Sequence, residues 1–401
     1  VTESSENIQG KTEENSEESV TLHQRTRVES AFSNEVANRM RSALTSGEKP
    51  FRSIVDLRKL AAECGMRVDS EGRDDILIQE LVEDALTLVG RELAEKARRS
   101  AVFKRGSSFF PKELFEQICH LYDMQPTISQ RSSNRIKMQQ YSTPLPMSFA
   151  ADMFVAEKGK VVGDDTVLEP TAGNGMLVFA VPSAQLHVNE LDDVRYENLR
   201  FGGYKEVTKQ DATKPFEGGR RYAGVVANPP FGKVSPKLYD GMEIASLEAQ
   251  IALNALESMK DDGRAAIIVG GNMEYSPNGA IKGGDRALYS YLYDHYNVKG
   301  VVDMDGSLYR KQGTTYPTRM ILIEGRRSDE ERAQERIYPP VRDKAIPVAT
   351  SFDELYDIVN GLLNSKEKTN GTEVLRREQG LGPDSESRPR KGNDRPDHQQ
   401  P

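Results

Sequence analysis

The chain has 401 residues, 37% of them hydrophobic, enough to bury one sizeable core and a smaller second one. Its net charge is −8, but six Glu and one Lys in residues 1–20 account for −5 of that, while residues 91–139 carry ten Lys or Arg against five Asp or Glu. Cys64 and Cys119 lack CxxC spacing and the five His are scattered, which excludes a metal framework, and no apolar run reaches membrane-spanning length.

The basic excess over 91–139 fits either a polyanionic partner or a solvated helix face. Both cysteines read as buried thiols in a reducing compartment. With no secretory apolar segment at the N-terminus, the expected location is the cytoplasm. The first residue is Val rather than Met, as in a fragment or a processed product.

Five segments follow in chain order. Residues 1–28 form an acidic tail too poor in apolar residues to offset the entropy of ordering. A helical N-terminal region spans 29–127, with Ile54, Leu57, Leu60 and Ala61, then Ile78, Leu81, Ala85 and Leu88, at helix spacing, punctuated by Gly65 and Gly72. Over 128–330 short apolar strands alternate with helices: Thr166–Leu168, Gln185–Val188, Gly224–Ala227, Ala265–Val269, Val298–Val302 and Arg319–Ile323. That alternation predicts an α/β fold with a mostly parallel sheet covered by helices on both faces. A helix from about Ser246 to Lys260 presents Ile251, Ala255, Leu256 and Met259 on one face and stops at Asp262-Gly263. An extension over 331–365 holds one helix, with Ser351 and Glu354 as its capping box, and 366–401 is a second polar tail.

Within the α/β region, Val167-Leu168-Glu169-Pro170-Thr171-Ala172-Gly173-Asn174-Gly175 reads as a strand, a turn with two glycines, and then a helix. Such a turn lets backbone approach a ligand closely, although Gly173 and Gly175 alone fit a plain tight turn equally well. Glu190 closes the next strand, at the offset where an acid accepts hydrogen bonds from both hydroxyls of a ribose. The pattern departs from a dinucleotide fingerprint: Glu169 would repel a pyrophosphate, yet it suits the cationic methionine moiety of S-adenosylmethionine. Asp211, after the third strand, either accepts from an adenine amino group or caps its own turn.

A buried strand then ends in Asn228-Pro229-Pro230-Phe231 at the carboxyl edge of the sheet. An amino group on an aromatic ring is a poor nucleophile because its lone pair is delocalised. Two fixed acceptors, the Asn228 side-chain oxygen and the Pro229 carbonyl, draw the nitrogen toward tetrahedral geometry. Pro230 stiffens the loop and Phe231 offers a stacking face. The same tetrapeptide could also be a strand-breaking turn with Phe231 in the core.

With these residues in order, the chain resembles the adenine-N6 amino-methyltransferases of DNA in which the cofactor motif precedes Asn-Pro-Pro-aromatic. The modification subunits of type I restriction systems and the methyltransferase regions of phage or plasmid helicase–methylase polypeptides share that order. The resemblance covers about 138–325 and implies a Rossmann-like S-adenosylmethionine-dependent sheet acting on DNA. On it, Tyr141 and Thr143 close over the methionine part of the cofactor. Glu169, Thr171, Gly173 and Gly175 form its loop, Glu190 and Asp211 hold its nucleoside, and Asn228-Pro229-Pro230-Phe231 is catalytic. Tyr309, with Tyr316 as competitor, is the second ring against a flipped base. RNA guanine-N2 and protein-glutamine methyltransferases use a similar loop, and a non-catalytic DNA-binding subunit with the same fold is the third alternative. Two features depart from the family. The fifth strand ends in Gly270-Gly271-Asn272 without proline, and only about 40 residues of plausible structure follow Glu324, so sequence specificity would come from the helical region, the 270–285 insertion, or a helicase or specificity partner chain, or the chain would have none.

Overall fold

Among the described residues, the N-terminal region holds the helices 27–46, Ile54–Glu63, Asp75–Phe103 and Lys112–Asp123. The second starts on a complete capping box, Ser53 accepting from the first turn while Asp56 accepts from the Ser53 N–H. It buries Leu57, Leu60 and Ala61, as the spacing predicts. On the long third helix the apolar stripe is Ile78, Leu81, Val82, Ala85, Leu86 and Val89. Leu88 falls at the edge of that stripe and is 38% exposed. Cys64 and Cys119 are half-buried rather than buried, and burial still pushes the Cys119 thiol up to about 12. The structure, a computed structural model, describes residues 27–68, 75–103, 108–127, 142–271, 273–277, 279–337, 339 and 346–365. Tyr141, Gly72, Asn272 and the two tails lie outside them.

The eight-stranded sheet is ordered β3-β2-β1-β4-β7-β9-β8-β10. The strands are β1 Val167–Glu169, β2 Leu186–Asn189, β3 Glu206–Thr208, β4 Tyr222–Ala227, β7 Met259–Gly270, β8 Tyr296–Met304, β9 Thr318–Arg326 and β10 Val348–Ala349. Neighbours pair in parallel except β9, which runs against both β7 and β8. The order doubles back after β1, so β1 and β4 flank a topological switch point, where open α/β sheets bind ligands. Each predicted strand is present within a few residues. A hairpin, β5 Lys233–Tyr239 and β6 Met242–Ser246, is additional, turning at Asp240-Gly241, both in the left-handed region.

Three local expectations are corrected. The helix predicted to Lys260 is Leu247–Glu257, and Met259 pairs with Tyr222 as the first residue of β7. Met259 is buried either way, so hydrophobic spacing could not separate the two. The glycine turn leads into a single 3₁₀ turn, Met176–Val178, rather than a helix. The helix Leu145–Ala156, buried along its whole length, packs on that turn together with Asp75–Phe103. In the last helix, Phe352–Asn364, Ser351 caps Glu354 as expected, but the Glu354 carboxylate accepts from Thr350 instead of completing a box.

One core joins the N-terminal helices, Leu145–Ala156, one face of the sheet and the last helix. A second, on the opposite face, holds the hairpin and the helices Leu247–Glu257 and Gly283–His295. Beside the first core, burial together with Glu83 and Glu80 pushes the Asp84 carboxyl up to about 7, against the pull of Arg195 and Arg91. A carboxyl with a folded pKa above its unfolded value binds its proton more tightly when folded. Its contribution is therefore complete below about pH 4 and is lost as pH rises through about 7. Asp84→Asn should flatten the decline in melting temperature over that window. An unchanged slope would exclude Asp84 as its source.

Candidate active site

The β1–β4 register, Leu168 opposite Val225, brings the ends of these two strands side by side. The glycine loop after β1 and Asn228 after β4 are thus neighbours, about one strand spacing apart. Around them opens a cavity of about 790 Å³, within the range of roughly 300–1,000 Å³ typical of small-molecule sites. Thr143, Thr171, Gly173, Glu190, Asp211, Asn228, Pro229, Pro230, Phe231 and Tyr309 all line it.

On the β1–β3 side, Gly173 (φ +55°) and Gly175 (φ +72°) take left-handed conformations. A Cβ at Gly175 would strike the Tyr204 hydroxyl, so glycine is needed here for both backbone and space. Glu190 Oε2 accepts from Gly173 N at 2.7 Å and Oε1 from Asp192 N at 2.8 Å, which fixes the carboxylate at the cavity wall. Asp211 Oδ1 accepts from Thr213 N and Oγ1, and those bonds hold its carboxyl below the usual range. It therefore caps its own turn while lining the cavity. Glu169 is placed differently from the expectation. It is fully buried, is not among the lining residues, and its Oε1 accepts from Thr171 N at 3.1 Å. Burial holds its carboxyl well above the ordinary range, and Oε2 has no hydrogen-bond partner. Its direct role is to shape the loop from below.

On the β4 side, Asn228 Nδ2 donates to Thr143 Oγ1 at 2.9 Å. Phe231 is half-buried, and its ring centroid lies 5.8 Å from that of Tyr316, with 46° between the planes. Tyr309 lines the cavity but is only 2% exposed, with its hydroxyl among Thr318, Asn228 and Thr143 and no hydrogen bond of normal geometry, and burial raises its pKa. Tyr316 also lines the cavity and is 41% exposed. The glycines ending β7 have a reason in the same contact. A Cβ at Gly270 would come within 3.4 Å of the Tyr316 ring, and one at Gly271 within 3.0 Å of Pro317 backbone. Gly306 completes the arrangement, because a Cβ there would overlap the Thr315 carbonyl.

Sequence reasoning missed several contributors. Asn189 is the staple of the β1–β3 side: Nδ2 donates to Pro170 O and Gln210 O, and Oδ1 accepts from Gln210 N and Thr208 Oγ1. An Asn directly before Glu190 was its only signal. Leu191, 61% exposed, adds an apolar face to the cavity, and Arg195, paired with Glu80 at 3.0 Å, adds a buried cation. Among the described residues one cluster has metal-ligand composition, Asp240, Asp294 and His295, beside the amino end of β8. Arg332 already bridges both carboxylates at 2.9 Å.

Strand order and switch point define a Rossmann-like, mostly parallel α/β fold with a cavity at its switch point. Solved structures similar in fold include one assigned to the class I S-adenosylmethionine-dependent methyltransferases from Listeria monocytogenes (13% identity, 82% of this chain and 99% of that one, TM-score 0.44). Others are the type I restriction-modification methyltransferase subunit of Streptococcus thermophilus (14%, 80% and 66%, TM-score 0.46) and a modification subunit assigned to a type I restriction enzyme of Vibrio vulnificus (16%, 64% and 60%, TM-score 0.40). The chain spans about two thirds or less of the length of those two subunits. No family model matches the sequence, and no curated protein does. No helix among the described residues is long and apolar enough to cross a membrane.

Proposed function

We propose that the chain binds S-adenosylmethionine on the Glu190 side of the cavity and methylates the exocyclic N6 amino group of adenine in DNA. The residues fit that cofactor. Gly173, at positive φ on the cavity wall, would leave room for its methionine part, Glu190 would offer acceptors to its ribose, and Leu191 would support its adenine. When bound, the cofactor supplies an electrophilic methyl group. The substrate amine, held by the Asn228 and Pro229 acceptors, would take up that methyl with the neutral thioether as leaving group and give up one proton to solvent.

The observation that supports this reading best is the Asn228–Thr143 hydrogen bond. With the Asn228 NH₂ committed to Thr143, Oδ1 is left to accept from a substrate N–H, and the Pro229 carbonyl is the second acceptor. Phe231 and Tyr316 stand beside that point as two faces for a base taken out of the stack or from a single strand. DNA is the partner in this reading. A helicase or specificity chain is the further partner proposed for sequence selection.

Supplying labelled-methyl cofactor with DNA, RNA and protein in parallel tests the substrate class. The expected result is label in DNA as N6-methyladenine, and label confined to RNA or protein would replace the reading. Thr143→Val should lower kcat about tenfold, the value of one oriented hydrogen bond, while Thr143→Ser retains activity. Equal loss in both variants would mean that the hydroxyl does not orient Asn228. Tyr316→Ala should raise KM for DNA about tenfold through lost stacking, whereas Tyr309→Phe should leave it unchanged. The opposite ranking would return the base contact to Tyr309.

A further inference from the structure

The helix Asp75–Phe103 reaches from the N-terminal helical region to the back of the cavity, and at Glu83 it buries a carboxylate completely. Removing a carboxylate from water without partners is costly, so its contacts matter. Oε2 accepts from Ser142 Oγ at 2.6 Å and lies 3.4 Å from Asn174 Nδ2, while Oε1 accepts from Gln79 Nε2 at 3.2 Å. Ser142 and Asn174 both line the cavity, yet they belong to different segments. Asn174 sits between the two left-handed glycines of the loop after β1. Ser142 precedes Thr143, whose hydroxyl holds Asn228. One side chain, from a region 59 and 91 residues away along the chain, therefore ties the glycine loop to the segment that orients the catalytic amide.

We infer that Glu83 is a positioning residue of the cofactor pocket, fixing Ser142 and Asn174 relative to each other, so that the N-terminal helical region is part of the catalytic unit. This rests on the proposed cofactor. The loop has no long helix of its own behind it, only the 3₁₀ turn Met176–Val178, and the Asp75–Phe103 helix packs on that turn. The carboxylate is chosen over an apolar residue because two donors from separate segments converge on it, and a charged acceptor makes the stronger bonds.

Calorimetry of S-adenosylmethionine binding tests the assignment with the wild-type chain, Glu83→Ala, Ser142→Ala/Asn174→Ala and the triple variant. Glu83→Ala should weaken binding about tenfold or more, and the triple variant should bind no more weakly than the Ser142/Asn174 pair, because the residues act as one unit. Glu83→Gln, which keeps an acceptor oxygen, should recover most of the affinity with an unchanged KM for DNA. If Glu83→Ala does not fold, Glu83→Gln and Ser142→Ala carry the comparison, with a raised cofactor KM expected in the serine variant alone. Wild-type affinity in Glu83→Ala, or in Ser142→Ala if that variant must stand in, would overturn the role of Glu83, as would a triple variant weakened by the product of the separate losses. A wild-type chain that binds no S-adenosylmethionine would overturn the cofactor reading and this inference with it.

Discussion

Asn228→Ala is expected to reduce methyl transfer by about 10²–10³-fold while the chain still binds S-adenosylmethionine with wild-type affinity. The side chain lies at the end of β4 with its NH₂ on Thr143, so its carbonyl oxygen is the preorganised acceptor, and alanine removes it. In the proposed reaction activation would be geometric: the acceptors would act on a nitrogen whose lone pair must leave conjugation, with no ionisable side chain needed to begin the step. Asn228→Asp keeps an acceptor oxygen and lets Thr143 donate in turn, so it should fall between alanine and wild type. Single-turnover rates with saturating cofactor read the effect directly. An alanine variant with near wild-type turnover would remove Asn228 from the chemistry.

Glu190→Ala should have the second large effect, and on binding rather than rate. Its two oxygens accept from Gly173 N and Asp192 N, at 2.7 and 2.8 Å, so truncation releases the glycine loop and the turn after β2 together. With the ribose contacts also lost, cofactor affinity should fall about 100-fold, as expected for two charge-assisted hydrogen bonds. At saturating cofactor kcat should return toward wild type, because Asn228 and Thr143 are untouched. Unchanged affinity with a depressed kcat would reverse the assignment.

Strand positions were legible in the sequence because apolar runs of four to six residues between polar helices leave little choice of architecture. The site was legible for a different reason: Glu190 and Asn228 each follow a strand, and all parallel strands end at one edge. What stayed hidden depends on three-dimensional proximity. Tyr309 and Tyr316 are seven residues apart and both line the cavity, and only the folded structure shows that Tyr309 is buried while Tyr316 stands exposed. Glu169 has the right type and spacing for a ligand contact, yet the loop folds over it, and its bonds go to Thr171. Glu83 carries no local motif at all, and its role comes from helix packing. The fork at Met259 was ambiguous because a buried apolar residue serves a helix end and a strand start equally.

The most direct measurement is nucleoside mass spectrometry of genomic DNA from a methylation-free host expressing the wild-type chain, beside the same host expressing Asn228→Ala. Accumulation of N6-methyladenine with the wild type and none above background with the variant is the predicted result. Equal N6-methyladenine from both chains, or wild-type modification appearing only on another base, would contradict an adenine amine activated by Asn228.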